Sequence, residues 1–434
     1  MTRRTRVSRR HAIALMVGGL GVLAAACGPG SNPGAAPKTD SKPAESKPAE
    51  SKPAESKPAA DAKPAGSPAA AAPASSPAAA AASPAAGASA ASAGPGLGVI
   101  KGPFEGEAKQ LTGAGATFPA PLYTKWFNDY KALAGVEVNY QAIGSGGGIK
   151  AISDKTADFG ATDGPMTDDQ LKAATGGAIL HIPMALGAVV PIYNIPELEG
   201  KTVRFSGETL AGIFMGDIQK WDDAKIKADN PNLTMPGKEI IVVHRSDSSG
   251  TSYIFTDFLS NVSADWKSKV GAATAVNWPT GLGGQGNPGV TNEVKQNPYA
   301  VGYVELIYAL QQKLPPGEVK NKDGQYISPT IESTTAAAAG AGASIPADLR
   351  ASIVNAPGAT SYPISGFTWI LAYKEMADKA KAIALTRLLY WGIYDGQKAS
   401  ADLGYAPLPP DIVKKADEMI QSIQAGGAKA FPGK

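Results

Sequence analysis

A single cysteine, Cys27, stands among 434 residues. One thiol excludes a disulfide within the chain and a thiolate metal cluster. Histidine is almost as scarce: His11, His181 and His244 lie far apart, too few and too scattered for a zinc or haem site. A strong charge of either sign is also missing. The formal charge of +3 comes from 41 basic and 38 acidic residues, but Arg3, Arg4, Arg6, Arg9 and Arg10 crowd the start. Without those five, 36 basic residues face 38 acidic ones, and no footprint for nucleic acid remains.

The first residues read as an export signal. Five arginines without an acidic residue precede an apolar run from Ala12 to Ala26, shorter than the roughly 20 residues of a membrane span. The run ends in Leu23-Ala24-Ala25-Ala26-Cys27, which is similar to the processing site of bacterial lipoproteins. There the cysteine sulfur is lipidated and the residues before it are removed. The leucine lies four positions before Cys27 rather than the usual three, and Cys27 as a discarded signal residue stands as the alternative. Ser8-Arg9-Arg10 leaves both the general and the twin-arginine export routes open. The expected place is extracytoplasmic, with residues 1–27 as signal and a lipid as the only membrane contact.

Residues 28–105 read as a disordered Pro/Ala/Ser-rich tether. SKPAE recurs at 41, 46 and 51, SKPAA follows at 56, and Ala/Pro/Ser low complexity continues to about Gly96. Such composition cannot form a core, and proline keeps it extended, to at most roughly 230 Å at about 3.1 Å per residue. From about Ala108 to Lys434 the pattern becomes globular. Helices are expected over Pro119–Leu133, Gly147–Ser153, Ser252–Ser260 and Met376–Tyr394, and strands over Val136–Ala142, Ile240–His244, Val301–Val304 and Trp369–Tyr373. This alternation predicts an α/β fold with mixed, mainly parallel sheets. The stretch exceeds what one core usually covers, so two lobes are expected, 108–190 with 365–434 and 191–364. Trp126, Trp221, Trp278 and Trp391 read as packing residues, and Ala336–Ser344 has no assignment.

Four Gly/Ser/Thr-rich segments follow strands and precede expected helices: GAGATFPAP (113–121), IGSGGGIK (143–150), FGATDGP (159–165) and HRSDSSGTS (244–252). A helix start offers unpaired N–H groups and the positive end of the macrodipole, and Ser and Thr add uncharged donors. Together the four corners suit a small oxyanion, in the crevice beyond the strand ends. Each has an ordinary reading as well: Asp163 as a helix N-cap, Arg245 as a surface ion pair, Ser249-Gly250-Thr251 as a turn with its cap.

The segments 111–130, 143–150, 157–166, 245–259, 277–290 and 299–305, with GDIQKWDD (216–223) and LGYAPLP (403–409), closely resemble the phosphate-binding receptors of the high-affinity (Pst-type) phosphate ABC importer. The resemblance covers the globular part in order and leaves out the tether. It implies the two-lobed periplasmic-binding-protein fold, closing about hinges on one phosphate ion, with the permease of an ABC importer as partner. It further implies a monomer without catalysis, cofactor or metal. Carried over, the ligand residues are Thr117, Phe118 (through its N–H), Ser145, Asp163, Arg245, Ser249, Gly250 and Thr251, with Asp247 pairing the arginine. Gly146 stands where the family often has serine.

Residue chemistry supports these roles. The planar guanidinium of Arg245 can donate two parallel bonds to an oxyanion and keeps its charge, and a carboxylate such as Asp247 offsets the cost of burying it. A carboxylate at 163 repels an anion unless that anion brings a proton. Phosphate keeps at least one near neutral pH and sulfate has none, so Asp163 is expected to reject sulfate. Two other readings stay open. A secreted hydrolase would use Ser248 or Ser249 with His181 or His244 as base, and a tethered surface adhesin would need an exposed apolar patch.

Overall fold

The structure is a computed structural model that describes residues 100–433. The signal, Cys27 and the tether as far as residue 99 lie outside the described residues.

Eight strands form one sheet. In chain order they are β1 (Gln110–Gly115), β2 (Glu137–Ala142), β3 (Phe159–Thr162), β4 (Ile179–Tyr193), β5 (Ile241–Arg245), β6 (Leu282–Gly284), β7 (Ala300–Glu305) and β8 (Ser365–Tyr373), and their spatial order is β2-β1-β3-β8-β4-β7-β5-β6. The flanks are parallel, β2-β1-β3 on one side and β7-β5-β6 on the other. The centre is antiparallel, because β8 pairs against both β3 and β4, and β4 against β7. The mixed sheet thus departs from the parallel expectation only where the chain passes between flanks. β4 spans both partners: its first part pairs β8 with Gly187 opposite Gly366, and its end pairs β7 with Val189 opposite Glu305.

Helices cover the flanks. α1 (Ala120–Ala134) buries Leu122, Tyr123, Trp126, Phe127 and Tyr130, a stripe at helical spacing, and stops at Gly135, whose φ of 69° suits glycine. α2 (Ser145–Ser153) follows β2, and α3 (Asp168–Ala173) follows β3 after a gap. α4 (Gly250–Val262) is capped by the Ser249 hydroxyl, which accepts from the Ser252 N–H. α5 (Gly286–Gln296) follows β6, and α6 (Leu306–Gln312) begins where β7 ends, with Glu305 as its cap. The unassigned Ala/Gly stretch falls on α7 (Ile331–Ala341) and the turn after it. Its small residues permit a close approach: Ala337, Ala338 and Ala341 are buried, and a Cβ at Gly340 would sit 2.2 Å from the Pro357 carbonyl.

The packed chain begins earlier than its composition suggests. Arg387, buried on α8 (Lys379–Ile393), donates to Glu107 Oε2 (2.7 Å) and to the Gly102 carbonyl (2.7 Å). Phe104 lies against the same guanidinium, and Ile100 is buried. Residues 100–107 therefore belong to the folded part, because a cation in a distant apolar helix takes its partners from them. Trp126, Trp221 and Trp391 are core residues, as read from the sequence.

Candidate functional site

The four corners meet. Thr117 and Phe118 link β1 to α1, Ser145 opens α2, Asp163 follows β3, and Arg245 ends β5. Asp247 and Ser249 lie in the next loop, and Gly250 and Thr251 form the first turn of α4. All are at the carboxyl ends of strands, where α/β sheets place ligands. Nearly all are shut away from solvent; Thr117 is 6% exposed, Arg245 3% and Asp163 1%.

Hydrogen bonds join residues from opposite flanks of the sheet. The Ser145 hydroxyl accepts from the Asp163 N–H (3.2 Å) and the Gly250 N–H (3.0 Å). Gly250 must lack a side chain, since a Cβ there would lie 2.5 Å from Ser145 Oγ and 2.7 Å from Asp163 N. Arg245 grips Asp247 with two bonds, Nε to Oδ1 (2.7 Å) and Nη2 to Oδ2 (2.6 Å), and its Nη1 donates to Thr251 Oγ1 (3.2 Å). The Nε edge is spent on Asp247, which leaves the Nη1 side for an anion. Asp247 also accepts from the Gly286 N–H (2.9 Å). Burial opposes the charge of Asp247, but the bonds from Arg245 outweigh it and hold the carboxyl below its usual range.

Asp163 is not a helix cap. The third corner opens no helix at that point, because α3 starts at Asp168 under a capping box made by Thr167 and Gln170. Thr368 of β8 donates to Asp163 Oδ1 (2.8 Å), and Ser145 lies 3.4 Å from Oδ2. Burial pushes the carboxyl up to about 7, although Thr368, Arg245 and Ser145 each pull it down. The folded value lies above the roughly 3.9 of an unfolded aspartate. Its contribution to stability is therefore full below about pH 4 and lost as the pH rises through 7. In anion-free protein, Asp163→Asn is thus expected to stabilise by on the order of 2–4 kcal/mol above neutrality and by almost nothing near pH 4. Thermal unfolding at both pH values checks this; a gain of equal size at both would contradict it.

The Gly146 position finds its reason here. A Cβ at 146 would lie 2.2 Å from Ser248 Oγ, so Ser248 fills the room that a serine at 146 would need. The Gly146 N–H donates to the Ser248 carbonyl (3.0 Å), and Ser248 Oγ donates to Thr274 (2.9 Å). His244 stacks on Trp278, with Nδ1 3.0 Å from the Arg245 carbonyl. His181 Nε2 accepts from the Met166 N–H, and burial drives that ring down to about 3. Among the described residues, neither histidine is hydrogen-bonded to Ser248 or Ser249, and no group of three His, Cys, Asp or Glu side chains is placed to hold a metal.

Five contributors were not read from the sequence. Thr368 lies in β8, one residue before the strand expected from Trp369. Tyr308 donates to the Thr117 carbonyl (2.5 Å) and Tyr405 to the Phe118 carbonyl (2.6 Å), which fixes the first corner from two distant segments. Glu305 lies fully buried beside them, its Oε2 accepting from the Ile307 N–H, and burial raises it well above the usual carboxyl range. Asn287, wholly buried, bonds both Thr117 and Thr251. Asn287, Glu305 and Tyr405 carried only the signal of lying in the family blocks 277–290, 299–305 and 403–409.

With this arrangement established, similarity to known proteins identifies its kind. Residues 72–385 match a family model described as a PBP superfamily domain, a span that holds every site residue named above except Tyr405. The phosphate-binding protein PstS of Xylella fastidiosa is 44% identical over 308 residues, 71% of this chain and 84% of that protein. The chain belongs to the PstS family of phosphate-binding proteins. The PstS of Pasteurella multocida is 42% identical over 328 residues, 76% of this chain and 93% of that one. The crystal structure of a phosphate-binding protein from Stenotrophomonas maltophilia shares the fold, with TM-score 0.55 at 21% identity, covering 72% of this chain and 94% of that one. These PstS relatives are binding proteins, and among the described residues no helix is long and apolar enough to cross a membrane.

Proposed function

We propose that this chain is the extracytoplasmic receptor that captures inorganic phosphate and hands it to an ABC importer. The observation that carries the reading is the convergence, in one buried place, of four hydroxyls, two helix starts, Arg245 with its partner Asp247, and the further carboxylate of Asp163. Such a site offers donors to most oxygens of a tetrahedral anion and one acceptor to a proton on it. The names of the relatives, phosphate-binding proteins, support the same ligand.

In this reading Thr117, Phe118, Ser145, Arg245, Ser249, Gly250 and Thr251 donate to the ion, Asp163 accepts its proton, and Asp247 holds Arg245. The two lobes, 108–190 with 365–434 and 191–364, close about crossovers near Gly187–Asn194 and Tyr362–Trp369. Gly187 of the first lies opposite Gly366 of the second, which supports their moving together. The ion bridges both lobes and biases the closed state by its differential affinity for closed over open. The permease recognises that closed form, and no bond of the ligand is broken. A lipid on Cys27 and the tether keep the monomeric receptor near its permease.

Isothermal titration of the full chain, stripped of anion, with phosphate and then sulfate is the test. A Kd for phosphate below about 1 μM with no measurable sulfate binding is expected. Binding of neither anion would overturn the receptor reading, and tight binding of both would remove Asp163 as the selective element.

A further inference from the structure

We infer that Asn287 is a positioning residue that turns the hydroxyl protons of Thr117 and Thr251 toward the ligand, so that an anion meets donors alone at both. The inference rests on the phosphate-receptor reading. A hydroxyl has one proton to give and two lone pairs to fill. Thr117 Oγ1 accepts from Asn287 twice, from Nδ2 (2.9 Å) and from the backbone N–H (3.2 Å). Thr251 Oγ1 accepts from Asn287 Nδ2 (3.2 Å) and from Arg245 Nη1 (3.2 Å). With both lone pairs of each oxygen occupied, the proton is the one group left to face an ion.

The orientation of the amide is itself fixed. Asn287 Oδ1 accepts from the Glu305 N–H (3.0 Å), and a backbone N–H can only donate. The oxygen therefore points to Glu305 and the NH2 to the threonines. Asn287 is fully buried, so water does not compete for these bonds. One side chain thus sets hydrogen-bond polarity on two residues carried by different corners. Left to rotate, either hydroxyl could offer a lone pair to a ligand hydroxyl. Held this way, the pair accepts bare oxygens only, and Asp163 is left as the place for a ligand proton.

A double-mutant cycle with Thr117→Val separates this role from packing, because valine keeps the volume and removes the hydroxyl that Asn287 would orient. Titration of the full chain with inorganic phosphate should show that Asn287→Ala lowers affinity about tenfold in the natural chain but about threefold or less in the Thr117→Val background. Equal losses in both backgrounds would overturn the inference. Asn287→Asp covers the case in which the alanine variant does not fold, since it keeps the volume and the acceptor for the Glu305 N–H. Its second oxygen accepts the threonine protons and turns them from the ligand, so a loss of more than about a hundredfold is expected in the natural chain and a smaller loss with Thr117→Val. Charge repulsion is the same in both backgrounds, so only the hydroxyl accounts for the difference. Phosphate affinity like that of the natural chain in Asn287→Asp would also overturn it. A natural chain that binds no phosphate would sink the receptor reading instead.

Discussion

Arg245→Ala is expected to lower phosphate affinity by about a hundredfold to a thousandfold. The guanidinium side chain is 1% exposed and sits between Asp247 and Thr251. Bonds from a charged donor contribute roughly 1.5–3 kcal/mol each, so losing two at the lower end of that scale, about 3–4 kcal/mol together, corresponds to about that range. The change also leaves Asp247 as an unpaired negative charge beside an anion site, which adds to the loss. Lysine should not rescue it. A single ammonium cannot hold Asp247 with two bonds, reach Thr251 and face the ligand together. Titration with phosphate and arsenate checks the prediction; unchanged affinity for both would exclude Arg245 from the site.

The second large effect concerns selectivity rather than strength. Asp163→Asn should reduce the preference for phosphate over sulfate by about a hundredfold or more, while phosphate affinity itself falls less. In the natural chain the carboxylate faces any ligand oxygen without a proton as a like charge in a site of low dielectric. Sulfate has no proton to offer and meets that repulsion in full. Phosphate supplies a proton, and the carboxylate of Asp163 can accept it. Asparagine removes the charge and adds an N–H, so the penalty on sulfate disappears. Competition titrations with the two anions measure the ratio. An equal change for both would leave Asp163 without a selective role.

Much of this was legible in the sequence because it depends on local chemistry. Strand-to-helix corners need small residues and hydroxyls where the chain turns, so Thr117, Ser145 and Ser249-Gly250-Thr251 stood out before any fold was known. The helix ends were close to expectation because their signals are adjacent residues: Gly135 stops α1 and Ser249 caps α4. Asp163 and Arg245 were visible as charges in unusual surroundings. Their partners were less so. That Asp247 takes the Nε edge of Arg245 is a matter of rotamers, and no spacing rule distinguishes it from a free fork.

Thr368, Tyr308, Tyr405, Glu305 and Asn287 show where sequence reading ends. Each is an ordinary strand, helix or loop residue in its own segment, and each acts on a residue at least 18 positions away. The same holds for Arg387, whose burial in α8 is matched only by Glu107 and Gly102, some 280 residues earlier. By itself the sequence determined the α/β class and the family blocks, because those follow from composition and near neighbours. Tertiary structure alone decided the antiparallel centre of the sheet, the sharing of Ser145 between Asp163 and Gly250, and the polarity of the threonines under Asn287. The reason is that a hydrogen bond acts over about 3 Å, and only folding brings residues from opposite flanks within that reach.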